Sequence, residues 1–147
     1  MMKILIRRID DAYLFRSYNE RGAFVDTDLT ADSGGQGLGM SPLELLLAGL
    51  GSCSGVDVVS ILTKGKQRLD TFEATVTAER DGGKPINMIT SMHVLFDLTG
   101  DLEPEKVRRA VDLSLDKYCT VAKILGATIT ISTSFSVNGE LYDNPLS

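Results

Sequence analysis

The sequence predicts an α+β domain in which mainly antiparallel sheets pack against one long central helix. Alternating segments between turn residues fill the first 30 positions and return after residue 70, which is typical of strands. Between them, an apolar segment beginning at Ser41 repeats at helical spacing. Short turns favour antiparallel pairing, and a helix that is apolar over so much of its circumference needs cover on all sides. A homodimer would supply that cover.

Composition limits the classes of function. The 147 residues, 43% of them hydrophobic, suit one domain spanning residues 1–147. Fifteen basic against 20 acidic side chains give a net charge of -5, which disfavours nucleic acid as a partner. No apolar stretch of about 18 residues runs free of charge or glycine, so no membrane span is expected. Two cysteines behind an opening that does not resemble a signal peptide indicate a cytoplasmic protein.

The first third of the chain predicts a meander followed by a loop. Three strands are expected in KILIRR, AYLFRSY and GAFVDTDL, with turns at Asp10–Asp11 and at residues 19–22. The segment TADSGGQGLGM then has no strand or helix periodicity. It also lacks the lysine followed by Ser or Thr that a phosphate-binding loop requires, so nucleotide binding is not expected.

A specific start signal opens the long helix. Ser41 is the expected N-cap, Pro42 takes the first helical position and Glu44 completes a capping box. Gly65 should end the helix near Lys64. Three glycines inside the helix, at positions 49, 51 and 55, each weaken it by about 1 kcal/mol relative to alanine, which indicates close approach by another backbone.

The remainder predicts strands and two further helices. Strands are expected in TFEATVTAER and NMITSMHVLFDLT, then an amphipathic helix over LEPEKVRRAVDLSLDKY. Thr120 to Leu125 should form a short helix closed by Gly126, and ATITISTSFSV alternates as the last strand.

The only two cysteines lie in the helical segments. Cys53 falls on the apolar side of the long helix, and Cys119 stands where the short helix begins. The start of a helix favours a thiolate, so Cys119 should be helped to ionise. Cys53 has no such help, since apolar surroundings and Asp57 one turn later both disfavour negative charge there. Buried cysteine is also a common inert hydrophobe.

The segments SPLELLLAGLGSC, CSGVDVVSIL and KYCTVAKIL, set between a meander and a last strand, resemble the OsmC/Ohr family of peroxide-reducing proteins and most closely its OsmC-like branch. The resemblance covers essentially the whole chain. It implies an OsmC-like fold, an intertwined homodimer with the active site at the subunit interface, and a role in oxidative stress defence.

The resemblance also implies a two-cysteine cycle. Cys53 would be the attacking thiolate that takes the distal oxygen of an organic hydroperoxide and becomes a sulfenic acid, and Cys119 would resolve it as a disulfide. A small dithiol would be the reductant. Neither a metal nor another cofactor is implied, and His93, the only histidine, has no second histidine to join it as a ligand.

The sequence departs from the family where the attacking cysteine is activated. Family peroxidases use an arginine near the start of the second strand, held by a glutamate ten residues before that cysteine. Leu43 occupies that glutamate position here, with Glu44 beside it, and the expected arginine is replaced by Arg8 and Arg16 on either side. Which of these activates Cys53 stays open. The departure motivates an alternative, non-catalytic binding of a small hydrophobic or acyl ligand at the dimer interface.

Overall fold

The computed structural model describes residues 1–144. Two compact units divide the chain, with the boundary between Leu46 and Leu47, inside the long helix. The single domain over residues 1–147 stays a prediction, and its last three residues lie outside the described part.

The N-terminal unit is a three-stranded antiparallel meander, as the sequence predicts. Its strands are β1 (Ile4–Arg8), β2 (Phe15–Asn19) and β3 (Phe24–Thr27), hydrogen-bonded in the order β1-β2-β3. The turns between the strands fall on the residues that indicated them, because short polar side chains there accept backbone hydrogen bonds. Oδ1 of Asp10, for example, accepts from the amides of Ala12 and Leu14.

A buried carboxylate orders the glycine-rich loop that follows. Apart from one 3₁₀ turn, Ala31–Ser33, the loop has the irregular backbone expected of it. Asp28 accepts hydrogen bonds from the amides of Leu29, Gln36 and Leu38. Burial raises the pKa of Asp28, but these amides outweigh burial and leave the pKa below its usual value. The loop is therefore held by an ionised side chain.

The long helix α1 spans Pro42–Lys64, with the predicted bounds. Its capping box is present: the Ser41 amide donates to Glu44 at 2.6 Å, and the Glu44 amide donates to the Ser41 hydroxyl at 3.3 Å. By length and a mean hydropathy of 1.8, α1 could cross a membrane. Leu50, Val58 and Leu62, however, pack into the core of the C-terminal unit.

The C-terminal unit places helices against a four-stranded sheet. The chain runs through β4 (Arg68–Arg80), β5 (Ile89–Asp101), α2 (Pro104–Leu113), a π turn (Ser114–Tyr118), α3 (Thr120–Leu125), β6 (Thr130–Val137) and β7 (Glu140–Asn144). The order in the sheet is β4-β5-β6-β7. The core is apolar and combines α1, α2, β5 and β6, including Leu50, Val58, Phe96, Val107, Val111 and Phe135.

Three expectations for this unit need correction. The sheets are mainly antiparallel, as expected, but strand connections other than short turns were not foreseen: β5 and β6 pair in parallel, because the helices between them return the chain to the same end of the sheet. The helix expected up to Tyr118 changes to a π turn at Ser114. The strand β7 was missed, although Asn138–Gly139 forms the turn before it with positive φ at both residues, the usual chemistry of a tight hairpin.

The close approach to α1 is made by side chains rather than by a backbone. A Cβ atom on Gly51 would lie 2.9 Å from Cγ2 of Val76, and one on Gly55 would lie 3.0 Å from the ring of Phe72. Both neighbours project from β4. Gly49 has nothing within 4 Å of its Cβ position, so only two of the three glycines are needed for packing.

Candidate active site

The two cysteines occupy different local structures. Cys53 lies about three turns into the regular helix α1, where it is half-buried and packs against the core. Cys119 is wholly buried, with no exposed surface. It is the N-cap of α3, and its sulfur accepts a hydrogen bond of 3.3 Å from the amide of Ala122. Access from solvent therefore favours Cys53.

The fold brings these two free thiols together. The Cys53 side chain lies within hydrogen-bonding reach of Cys119. The pKa of Cys119 is raised to about 11, chiefly by burial and to a smaller extent by Cys53 and the Asp57 carboxylate, while the Ala122 amide lowers it in part. The position at a helix start and an amide there that favours the thiolate are as predicted, but burial, which was not foreseen, outweighs that amide and leaves the pKa of Cys119 raised. One amide donor does not offset the loss of water around the sulfur.

A polar contact ties the two cysteine segments together. The Ser114 hydroxyl lies 3.1 Å from Oδ2 of Asp57 and 3.2 Å from the carbonyl oxygen of Ser54. The backbone carbonyl of Ser114 in turn accepts a 2.7 Å hydrogen bond from the amide of Cys119. Asp57 was noted from the sequence, but Ser114 was given no role beyond membership of the amphipathic helix that ends near Tyr118. A hydroxyl among Val107 and Val111 was the available signal, because a buried hydroxyl requires a partner.

Two cavities lie close to these segments. One, of about 370 Å³, is lined mainly by apolar side chains of α1 and β4: Leu47, Ala48, Gly51, Ser52, Phe72, Ala74 and Val76. The other, of about 350 Å³, is lined by Asp57, Ser60, Ile61, Lys64, Leu113 and Tyr118. The first reaches the residues immediately before Cys53, and the second reaches the residue immediately before Cys119.

Candidate activators of Cys53 have structural partners within the N-terminal unit. Arg8 donates to the backbone carbonyls of Asp11 and Ala12, closing the β1–β2 turn. Arg16 forms two hydrogen bonds with Asp26, of 2.6 and 2.7 Å. That contact raises the pKa of Arg16 and lowers that of Asp26. Glu44 is occupied by the capping box, and the Ser41 amide lowers its pKa.

His93 takes part in a polar seam of the sheet. Its Nδ1 lies 2.7 Å from the hydroxyl of Ser132, and its Nε2 lies 2.8 Å from that of Ser134. Nearby, the Ser136 hydroxyl donates to Asp97 at 2.6 Å. Among residues 1–144, no three His, Cys, Asp or Glu side chains converge as metal ligands.

Comparison with known proteins gives the family. The model of the OsmC-like protein family matches residues 34–134, which include both cysteines. The chain belongs to the OsmC-like protein family. This confirms the resemblance inferred from the cysteine segments. Protein YhfA of Escherichia coli strain K12 is 44% identical to this OsmC-like protein over 98 residues, or 66% of this chain and 72% of YhfA.

Solved structures agree with the fold. A hypothetical protein from Aquifex aeolicus superposes with a TM-score of 0.81 at 26% identity, covering 94% of this chain and 96% of that one. An organic hydroperoxide resistance protein OsmC from Legionella pneumophila gives a TM-score of 0.70 at 15% identity, covering 93% and 97%. The α+β, OsmC-like fold is therefore confirmed.

Proposed function

We propose that this OsmC-like protein reduces organic hydroperoxides with Cys53 as the attacking thiol and Cys119 as the resolving thiol. The observation that carries the proposal is the unequal setting of two neighbouring sulfurs: Cys53 is partly exposed, whereas Cys119 is buried and retains its proton. A protonated Cys119 can donate its S–H to the sulfur of Cys53. The Legionella pneumophila protein that shares this fold is named an organic hydroperoxide resistance protein, and this name adds support at the level of the fold.

The chemistry follows from this assignment. The Cys53 thiolate attacks the distal oxygen of the hydroperoxide, the O–O bond breaks, and the alkoxide takes a proton and leaves as an alcohol. Cys53 is then a sulfenic acid. The sulfur of Cys119 attacks that of Cys53, the S–O bond breaks, and hydroxide leaves with the proton of Cys119 as water. A small dithiol reduces the disulfide and is itself oxidised to a disulfide.

The apolar cavity beside α1 supports a substrate with an apolar tail. Most of its lining comes from side chains such as Leu47, Phe72 and Val76, and it adjoins the residues just before Cys53. Apolar lining with few polar groups favours an apolar ligand. An alkyl or aryl hydroperoxide fits this description better than a charged one.

The oligomeric state and the cellular compartment belong to the same proposal. Leu43, Leu46 and Val56 project from α1 with 39%, 43% and 69% of their surface exposed, and a second copy would cover such side chains. We propose a homodimer. Analytical sedimentation should show the mass of two chains, and the mass of a single chain would contradict the proposal. A reducing cytoplasm suits two free thiols that cycle through a disulfide.

The direct test is oxidation of the reduced protein by cumene hydroperoxide. We expect two thiols to be lost per chain and an intramolecular Cys53–Cys119 disulfide to appear in peptide mass spectra. If excess hydroperoxide gives neither the disulfide nor a sulfenic acid, the protein is not a thiol peroxidase.

The same apolar cavity also favours a second function, non-catalytic binding of a small hydrophobic or acyl ligand. In that case native mass spectrometry of the purified protein should show a retained ligand, and Cys53→Ser should retain it equally well. A chain that carries no ligand and is rapidly oxidised by cumene hydroperoxide would contradict this alternative.

A further inference from the structure

Ser114 lies between the two cysteine segments and contacts both. Its side chain reaches α1 at Asp57 and at the carbonyl of Ser54, and its own carbonyl holds the Cys119 amide. The hydroxyl is buried, with no exposed surface. A buried hydrogen-bond network of this kind fixes the geometry of the groups that it joins. Ser114 therefore links the segment that carries Cys119 to the part of α1 that carries Cys53.

Asp57 contributes a charge as well as a hydrogen-bond acceptor. It follows Cys53 by one helical turn, and its carboxylate disfavours a thiolate at Cys119. The contact with Ser114 holds the carboxylate on this side of α1. Within residues 1–144, Cys53 and Asp57 are the groups that act electrostatically on Cys119, and Asp57 is the one outside the thiol pair.

We propose that Ser114 and Asp57 are a positioning pair that controls closure of the Cys53–Cys119 disulfide. Ser114 holds the segment that carries Cys119 against the segment that carries Cys53, and the Asp57 carboxylate, adding to the effect of burial, slows closure by disfavouring negative charge on Cys119. The proposal rests on the two-cysteine chemistry proposed above. It assigns neither residue to the attack on hydroperoxide.

The two members of the pair have opposite effects on closure. Before Cys119 attacks, its thiol must release a proton, which leaves with the hydroxide as water. Removing the charge at position 57 makes that release easier and speeds closure. Removing the hydroxyl at position 114 loosens the contact and lowers the effective concentration of one thiol at the other.

Ser114→Ala tests the positioning role in glutathione redox buffers, which oxidise and reduce the thiol pair without hydroperoxide. We expect the equilibrium constant for closure to fall about tenfold, because preorganisation of the two thiols is lost. Ser54→Ala is the matched control. That side chain is equally buried, but in the described part of the chain its hydroxyl bonds only to carbonyls of its own helix, those of Leu50 and Gly51. Closure should therefore stay within about twofold of the unmodified chain.

Asp57→Asn tests the electrostatic role, because the amide oxygen can still accept the hydrogen bond from Ser114. We expect the pH midpoint of the closure rate to move down, and the rate at pH 7 to rise severalfold, while the equilibrium constant at pH 7 stays close to that of the unmodified chain. Asp57→Ala removes charge and acceptor together. It should lower the equilibrium constant, and it keeps the proposal testable if Ser114→Ala does not fold.

The results separate this proposal from the proposed function. Unchanged closure in Ser114→Ala and Asp57→Ala would overturn the positioning role, even if cumene hydroperoxide still oxidises Cys53. An unchanged pH midpoint in Asp57→Asn would overturn the electrostatic role. Conversely, the expected shifts in glutathione buffers together with no reaction toward hydroperoxide would support the positioning pair and remove the peroxidase function.

Discussion

Cys53 and Cys119 differ in the regularity of the backbone around them and in burial. Cys53 lies in the middle of an unbroken helix of 23 residues, yet the residue is only half-buried. Cys119 lies at a break between a π turn and a six-residue helix, yet it is completely buried. The comparison shows that a helix start does not by itself make a reactive thiol. Desolvation decides the protonation state of Cys119, and access decides which sulfur meets a substrate first.

Replacing each cysteine in turn should give the largest effect, and it tests whether the two cysteines have different roles in hydroperoxide reduction. Cys53→Ser should lower the rate of hydroperoxide consumption about a thousandfold or more, because the nucleophile is lost. Cys119→Ser should retain the first turnover and accumulate a sulfenic acid at Cys53 that a dimedone probe can trap. Stopped-flow peroxide assays with mass spectrometry measure both. If Cys53→Ser kept the first turnover and Cys119→Ser lost it, the two roles would be reversed.

The pH dependence of stability should sharpen the comparison at Cys119. Its pKa is about 11 in the folded chain against an ordinary 9.0, so the folded state holds a proton that the unfolded state releases. The resulting stabilisation is complete below pH 9 and is lost as the pH rises to about 11. We expect a loss of about 1 to 2 kcal/mol in the free energy of unfolding.

Urea unfolding in reducing buffer measures this effect. Cys119→Ala is the control, since without the thiol the extra loss between pH 9 and 11 should disappear. If the free energy of unfolding fell equally with pH between pH 9 and 11 in the unmodified protein and in Cys119→Ala, burial would not hold the proton on Cys119.

Two glycine substitutions should give the smallest effects, and they test how α1 packs near Cys53. Gly49→Ala should stabilise the protein by about 1 kcal/mol, because the Cβ position is open and alanine favours a helix. Gly51→Ala should instead destabilise it by about 1 kcal/mol, because the Cβ would press on Val76. Thermal unfolding compares the pair. Equal stabilisation by both would mean that α1 and β4 are not in close contact near Cys53.

Local features of the fold were predictable from the sequence. The bounds of α1 follow from Ser41, Pro42 and Glu44 at one end and from Gly65 at the other, and all of these act within a turn of their own position. The strands of the meander follow from short turns in the same way. A cap or turn involves neighbours in sequence, so no knowledge of the rest of the fold is needed.

Features that join distant segments were only partly predictable. The contact of Ser114 with Asp57 spans 57 residues, and it depends on how α2 packs against α1. The protonation of Cys119 depends on burial, which the residues next to it do not determine. The hairpin at Asn138–Gly139 was a local signal and could have been found. So could the parallel pairing of β5 and β6, because a connection containing two helices is long enough for a crossover.

The hydrogen bonds of His93 have a practical consequence. The chain contains one histidine and no tryptophan, and that imidazole joins β5 to two serines of the parallel strand β6. One ring nitrogen donates and the other accepts, whichever tautomer is present. The imidazole signals in a magnetic resonance spectrum therefore come from a single place, the seam between β5 and β6. The signals of His93 therefore report directly on the pairing of β5 with β6 at the centre of the larger sheet.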